Sequence, residues 1–382
     1  MFGYIVRRTL YMIPTLIAVS FVSFLMLLLY ERYTGTYVDQ FRFNPTVSEE
    51  TVERLERSLG LDLPWYERYL KWIAGVFLFT DAIDPVTGER WRVWSLEPVR
   101  IPFTPWEIRL PVWRPYFGES FQYQRSVTDM LVQYLPYTIL MTVPVFLFIW
   151  IVAIPIGIYS ATHQYSVGDH ALTFLGFLGL SIPNFFLALV IIYVLSGPLD
   201  VGQYCWDRPD VGKYCLGVGG IFYEKYIGLG GVWPWQWNWG KFLDYLWHLW
   251  PVILVLGTSS LAGLIRIMRG QLLDILGSNY VQTARAKGLR ERVVIWKHAV
   301  RNAINPMISI FGQSLQFLIS GALVTAIVLN IPTVELLYYQ SLLNKDEYLI
   351  LTILTFFAVV LLLGNLLADV LLALVDPRIR YD

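Results

Sequence analysis

Six long stretches of this 382-residue chain contain almost no ionisable residue, and they constrain its fold more than any other feature. They run over residues 9–30, 130–162, 171–199, 245–265, 302–334 and 348–368, with His248 as the one interruption. A helix rises about 1.5 Å per residue and needs about 20 apolar residues to cross about 30 Å of hydrocarbon. The sequence therefore predicts a membrane protein with six spanning helices.

Composition supports that class and excludes others. Only 15% of the residues are charged and 56% are hydrophobic, whereas soluble domains carry about 25% charged residues. A net charge of zero excludes a generally basic nucleic-acid binder. Two cysteines are too few for a disulfide-rich scaffold or a cysteine zinc cluster. The first stretch is too long for a cleaved signal peptide, so we expect it to be retained.

Basic residues predict the orientation in the membrane. Arg7 and Arg8 precede the first span, and Arg378 and Arg380 follow the last. The segment 266–301 holds eight Lys or Arg residues against two acidic ones. Because cytoplasmic loops carry an excess of Lys and Arg, we expect both termini and this segment to be cytoplasmic.

Two large segments, 31–129 and 200–244, are then external. In the first, Ser48 followed by two glutamates predicts the start of a helix that ends near Gly60. An amphipathic stretch over 65–79 follows Pro64, and its aromatic residues Trp65, Tyr66, Tyr69 and Trp72 are expected near the membrane interface. Residues 80–115 are rich in Pro and Trp and predict loops and a β-hairpin.

The second external segment contains both cysteines. An oxidising environment allows a disulfide between Cys205 and Cys215, but two free thiols in a small subdomain are an alternative that sequence cannot exclude. An aromatic run of period two lies further on. It is typical of an interfacial belt or a strand face, with a sugar-stacking platform as the alternative. Its members are Trp233, Trp235, Trp237 and Trp239.

The chain lacks the motifs of an energy-converting enzyme. No phosphate-binding loop occurs, so we expect the chain not to bind or hydrolyse ATP by itself. Its four histidines are too scattered for a metal site, and no cofactor is expected. The spans lack the buried carboxylates that an ion-coupled carrier uses. Energy is therefore expected to enter through a cytoplasmic partner.

A short helix is predicted within the cytoplasmic segment. Residues 280–287 suit a helix that Ser278 or Asn279 could cap, and Gly288 suits the left-handed residue after it. The small side chains of Ala284 and Ala286 would permit close approach of another protein. From the residues alone, a docking lever and a basic loop that only sets orientation remain equal alternatives.

The sequence of this segment carries a family resemblance. Residues 283–289 read Thr-Ala-Arg-Ala-Lys-Gly-Leu and are followed by Lys-His-Ala-Val-Arg-Asn-Ala at 297–303. They resemble the coupling-helix motif of ABC-importer permeases of the dipeptide, oligopeptide and nickel group. Residues 59–64, 179–185, 248–251 and 376–381 agree with the same family in order. Residues 80–115 and 200–240 look like insertions.

The resemblance implies an all-α type I ABC-importer permease with six transmembrane helices. Enlarged extracytoplasmic insertions would follow helix 1 and separate helices 3 and 4. The implied regions are 1–30 (cytoplasmic N-terminus and first helix), 31–129 (extracytoplasmic domain) and 130–382 (permease core with the external loop 200–244 and the cytoplasmic coupling segment 266–301). The chain would be a transport subunit, not an enzyme.

The implied function is to form half of the pathway for oligopeptides or a similar small solute. Oligosaccharides on the same architecture are one alternative, and an ion-coupled secondary carrier is an alternative of another class. The implied partners are a second, related permease subunit, two subunits that bind ATP and Mg, an extracytoplasmic solute-binding protein and the lipid of a prokaryotic cell membrane. No nucleic acid is expected.

The resemblance also assigns candidate site residues. Contact with the ATPase is assigned to Tyr280, Thr283, Ala284, Arg285, Ala286, Lys287, Gly288 and Leu289. For a pathway or gate, helix breaks and small polar residues in the spans indicate Ser181, Pro183, Ser259, Ser260, Asn330 and Pro332. After the fifth span the family often has an acidic residue and a Gly-x-Pro-Gly turn. Here Ala326 and the residues 330–333 stand in their place.

Overall fold

The computed structural model describes residues 2–42, 44, 47–78, 80, 90–91, 93–100, 107–208, 212–217, 219–223 and 239–375. Within them, five helices are long and apolar enough to cross a membrane, and a bent pair makes a sixth crossing if it is one span. The elements up to the third span are α1 (Phe2–Thr34), α2 (Asp39–Arg42), α3 (Glu49–Ser58), α4 (Trp65–Phe77), β1 (Trp94–Arg100), β2 (Glu107–Trp113), α5 (Val127–Thr162), α6 (Val167–Ser181) and α7 (Asn184–Ser196).

The remaining elements include the fourth to sixth spans. A 3-10 turn over Val201–Gln203 leads into β3 (Cys205–Arg208) and β4 (Gly212–Cys215). A π-helix spans Val294–Ala299. The helices are α8 (Trp239–Leu276), α9 (Asn279–Ala286), α10 (Glu291–Val293), α11 (Val300–Ala303), α12 (Asn305–Ser309), α13 (Phe311–Gly321), α14 (Leu323–Val328), α15 (Val334–Leu343) and α16 (Glu347–Val375).

Two of the predicted spans are interrupted. The third consists of α6 and α7, which meet at an angle of 96°. Pro183 lies at the break and accounts for it, because proline cannot donate the helical hydrogen bond and disfavours a helical conformation of the residue before it. Ile182 is accordingly extended. The fifth, predicted as one stretch over 302–334, is divided into α12, α13 and α14. Only residues Phe311–Val328 of it pass as a span.

The chain forms two compact units. The first contains Met1–Ile13, Tyr134–Leu336 and Phe357–Asp382, and the second contains Pro14–Gln133 and Leu337–Phe356. The core of the first unit contains buried residues of α5, α7, α8 and the coupling segment, including Met141, Val255 and Met268. In the second unit Phe24 packs against Tyr69 and Trp72 of α4.

The second unit contains the predicted extracytoplasmic helices. Ser48 precedes α3, and its side chain accepts a hydrogen bond from the Thr51 amide, as its position before two glutamates predicts. Gly60 follows the helix with φ of +71°, a conformation that glycine adopts without steric cost. In α4, Tyr69 and Trp72 are buried in the protein, so only Trp65 and Tyr66 remain exposed enough to serve the predicted interfacial role.

The predicted hairpin is present as the antiparallel pair β1–β2, and two tryptophans attach it to α4. Trp94 and Trp113 are cross-strand partners. Their indole N–H groups donate to the carbonyls of Phe77 and Val76, at 2.9 and 2.8 Å. The last four carbonyls of a helix have no partner within it, so the indoles satisfy two groups that would otherwise need water. The insertion is thereby fixed to the end of α4.

Candidate functional site

The short helix that the sequence predicts as a coupling helix is present as α9. It spans Asn279–Ala286, and Gly288 follows with φ of +74°. Ser278 occupies the position before the helix, but its hydroxyl donates to the Ile275 carbonyl instead of capping α9. The predicted side-chain cap is therefore wrong, because the hydroxyl is used to close the preceding turn.

One face of α9 is buried and the other is exposed. Val281 and Ala284 face the core of their unit, with exposed fractions of 0% and 7%. Ala284 therefore cannot contribute to a surface for another protein, which corrects the expectation from its small size. Ala286, by contrast, is exposed, as are Thr283 and Lys287. Tyr280 and Leu289 add large exposed apolar side chains.

An ion pair fixes the chain just after α9. Arg285 donates to both carboxylate oxygens of Glu291, with its Nη2 at 2.7 Å from Oε1 and its Nε at 3.2 Å from each oxygen. The hydrogen bond from Arg285 lowers the pKa of Glu291. Two parallel contacts define the orientation of the turn around Gly288 better than one would. The Nε and Nη2 groups of Arg285 are thus engaged by Glu291 of the same chain.

Two further hydrogen bonds connect the coupling segment to its unit. The Asn302 side-chain amide donates to the Tyr280 hydroxyl at 2.9 Å. Arg301 Nε donates to the carbonyl of Val375, the last described residue of α16, at 2.8 Å. A guanidinium is favourable at the negative end of a helix. These two hydrogen bonds hold the segment against its unit.

The turn between α14 and α15, residues 329–333, contains the candidate gate residues. We name it the gate turn. Asn330 has φ of +54°, in the left-handed region that asparagine tolerates better than most residues. Pro332 lies two residues before α15 begins at Val334, whose amide donates to the Thr138 hydroxyl of α5 at 2.9 Å. Leu329 and Ile331 are buried.

Glu335 follows the gate turn and was not identified from the sequence. Its side chain is buried; Oε2 accepts from the Thr138 hydroxyl at 3.4 Å, and Oε1 has no partner among the described residues. Burial raises the pKa of Glu335 to about 7. The sequence signal that could have identified Glu335 is a single carboxylate directly after an apolar stretch. Its contact with Thr138 of α5 depends on the tertiary fold.

One of the other pathway candidates, Ser260, borders a cavity. Residues of α5, α8 and α13, together with Ile310 between α12 and α13, line this cavity of about 310 Å³, which includes Ser260, Gly263 and Gln313. Ser259, next to Ser260, is not part of its lining. Ser181 is exposed, and its hydroxyl donates to the carbonyl of Phe177 in its own helix.

The two cysteines are joined. Cys205 and Cys215 lie opposite each other in the antiparallel pair β3–β4 and form a disulfide. The sequence left a disulfide and two free thiols as alternatives, and the structure has the disulfide. Three tryptophans of the period-two run, Trp233, Trp235 and Trp237, lie outside the described residues. Trp239 begins α8 and is 73% exposed.

The long apolar helices define an integral membrane protein. Comparison with known proteins is specific about the class. The family model "Binding-protein-dependent transport system inner membrane component" matches residues 153–381, and the model of its N-terminal region matches residues 1–88. The chain belongs to this family, and it is a permease subunit of an ABC importer and not an enzyme.

Two of the following relatives match along the full chain. The oligopeptide transport system permease protein AppB of Bacillus subtilis (strain 168) is 31% identical, with 100% of both chains covered. The dipeptide transport system permease protein DppB of Escherichia coli (strain K12) is 28% identical over 100% of this chain and 99% of its own. The oligopeptide transport system permease protein OppB of Haemophilus influenzae is 30% identical over 69% of this chain and 76% of its own.

Proposed function

We propose that this permease subunit forms half of the translocation pathway for oligopeptides in an ATP-driven importer. The relatives that match along the whole chain are named for oligopeptide or dipeptide transport, and this supports peptides over oligosaccharides. An ion-coupled carrier is excluded by the family itself. The chain's own task is to change shape, because alternating access requires different contacts in two states and no chemical step in this chain.

The proposed complex contains a second, related permease subunit, two ATP-binding subunits and an extracytoplasmic solute-binding protein. ATP and Mg would be held by the ATP-binding subunits. The complex would lie in the plasma membrane of a prokaryote with both termini of this chain in the cytoplasm. The basic segment 266–301 supports this orientation through the positive-inside rule. The region 31–129 and the loop 200–244 would then be extracytoplasmic.

The exposed face of α9 is the observation that carries the proposal. Thr283, Ala286 and Lys287 are exposed, while the opposite face is packed in the core. Tyr280 and Leu289 place apolar surface beside these residues. A small, partly apolar face with basic residues at its rim suits insertion into a groove of a partner protein. Because the buried face holds α9 against its unit, a force on the exposed face would move the helices behind it.

The proposal is tested by the pair Ala286→Arg and Ala286→Ser. Arg at this exposed position would prevent close approach of the partner without disturbing the core, whereas Ser keeps the surface almost unchanged. We expect Ala286→Arg to insert normally but to lose copurification of the ATP-binding subunits and peptide uptake. Ala286→Ser should retain both. Normal assembly and uptake with Ala286→Arg would refute the docking role of α9.

The substrate needs a separate measurement. Proteoliposomes with the complete complex and its binding protein should take up labelled oligopeptides in the presence of ATP. The same vesicles should be offered labelled oligosaccharides at equal concentration. Uptake of the saccharide but not of the peptide would contradict the proposed substrate and leave the importer class intact.

A further inference from the structure

The external loop between α7 and α8 contacts the gate turn directly. Residues 219–223 form a short segment, which we name the bridge loop. The amide of Gly220 donates to the carbonyl of Leu329 at 2.6 Å. Gly219 lies so close that a Cβ there would be 3.3 Å from the same carbonyl oxygen. The bridge loop and the gate turn are thus in backbone contact.

The other end of the bridge loop is bound by a carboxylate of α8. Asp244 is 1% exposed, and its Oδ2 accepts from the amide of Tyr223 at 2.7 Å. Its Oδ1 accepts from the hydroxyl of Tyr214 in β4, also at 2.7 Å. His248, one turn further along α8, places Nδ1 at 3.3 Å from the same Oδ1. The buried carboxylate of Asp244 therefore binds both the strand pair β3–β4, which carries the disulfide, and the bridge loop.

The middle of the bridge loop is buried, so the two ends do not move independently. Ile221 and Phe222 are 1% and 4% exposed and belong to the same core cluster as Leu329. Packed interiors transmit displacement because they leave few voids. A shift of α8 at Asp244 would therefore reach the carbonyl of Leu329 through five residues of chain.

The opposite end of α8 leads to the coupling helix. α8 is one helix from Trp239 to Leu276, and α9 begins three residues later at Asn279. The distance from Asp244 to Leu276 along the helix is about 48 Å at 1.5 Å per residue. A helix of this length connects the surface proposed for the ATPase with the anchor of the bridge loop, without an intervening loop.

We propose that Asp244 is a positioning residue of the external gate: through the bridge loop it ties the gate turn to α8, the helix that runs into the coupling helix. The proposal rests on the proposed function, since it uses the importer's coupling helix and its orientation. Movement started at α9 would then displace the gate turn together with α8. The number of peptides imported per ATP hydrolysed depends on this connection.

The experiment uses the complete complex with its binding protein in proteoliposomes. Asp244→Ala removes the acceptors for the Tyr223 amide and the Tyr214 hydroxyl. We expect imported peptide per ATP to fall by a factor of about five, which corresponds to the one of these hydrogen bonds that holds the bridge loop. Asp244→Asn keeps one acceptor oxygen for that amide and can donate to Tyr214, so it should restore most of the ratio. Tyr214→Phe leaves the bridge loop bound and is the matched control.

A second pair of variants tests the other end of the bridge loop without touching the buried carboxylate. Gly219→Ala places a methyl group against the Leu329 carbonyl and should lower the same ratio. Gly202→Ala lies in the same external segment with no atom closer than 4.0 Å to its Cβ, and it should keep the wild-type ratio. This pair decides the question if Asp244→Ala does not assemble.

The results separate this inference from the proposed function. Support requires that Asp244→Ala or Gly219→Ala copurifies with the ATP-binding subunits, hydrolyses ATP and imports less peptide for each ATP. Wild-type ratios in both variants would overturn the positioning role. The docking role of α9 would instead be refuted by normal assembly and uptake in Ala286→Arg. That outcome does not depend on the peptide imported per ATP in the Asp244 variants.

Discussion

Replacing Arg68 should destabilise the protein far more than replacing Glu347, although the two residues form one ion pair. Arg68 Nη2 lies 3.1 and 3.2 Å from the two carboxylate oxygens of Glu31 and also contacts Glu347 Oε2. The side chains are 8%, 11% and 2% exposed for Arg68, Glu31 and Glu347. One buried cation thus faces the buried carboxylate of Glu347 and the partly buried carboxylate of Glu31. Glu347 Oε1 has no partner among the described residues.

The magnitudes follow from the charge count. Arg68→Gln leaves these two carboxylates without a cation, and breaking a buried pair in this way costs about 3–5 kcal/mol. Glu347→Gln removes one of two negative charges and retains an acceptor for Arg68. The remaining pair is balanced, so we expect a change within about 1 kcal/mol, in either direction. Arg54→Gln is the matched control, because its pair with Glu50 is exposed and contributes little.

Thermal unfolding of the purified subunit in detergent, followed by size-exclusion chromatography of the folded fraction, measures the ranking. Arg68→Gln should lose its folded fraction at a clearly lower temperature than the wild type. Glu347→Gln and Arg54→Gln should behave like the wild type. Equal destabilisation by Arg68→Gln and Glu347→Gln would refute the charge argument, because loss of contacts alone would then explain both.

Two further predictions concern packing and pH. Gly312→Ala would place its Cβ 2.5 Å from the backbone of Gly364 and should lower the free energy of unfolding by about 1–3 kcal/mol. Gly321→Ala is the control, because no atom lies within 4 Å of its Cβ, and it should be neutral. Equal unfolding temperatures for the two variants would contradict the importance of the close approach. Burial raises the pKa of Glu335 from 4.5 to about 7, so its contribution to stability is complete below about pH 4.5 and is lost as the pH rises through 7. Glu335→Gln should therefore gain stability relative to the wild type between pH 5 and 8, by up to about 3 kcal/mol, and a constant difference over that range would contradict the assignment.

Local features of the chain were predictable where the physical cause is local. Ser48 and Gly60 mark the two ends of α3 because capping and left-handed conformations depend on single residue types. The break at Pro183 has the same origin. Ser278 shows the limit of such reasoning, since its hydroxyl could cap α9 or close the preceding turn, and the structure uses it for the turn.

The direction in which a side chain faces was less predictable. Ala284 and Ala286 are equally small and lie on the same short helix, but only Ala286 is exposed. The period of α9 places them on different faces, and which face is buried depends on the helices packed beside it. The same holds for Gly312 and Gly321, of which only the first lies at a close helix crossing.

The sequence by itself determined that the chain has the apolar segments of a membrane protein and that a short helix lies at α9, because hydrophobicity and turn residues act over a few neighbouring positions. Tertiary structure decided which distant groups share a buried site. Asp244 meets Tyr223 across 21 positions, Arg68 meets Glu347 across 279, and no local pattern encodes either pairing. These contacts form because a polar group removed from water must find a partner, and the packing of the helices determines which partner is within reach.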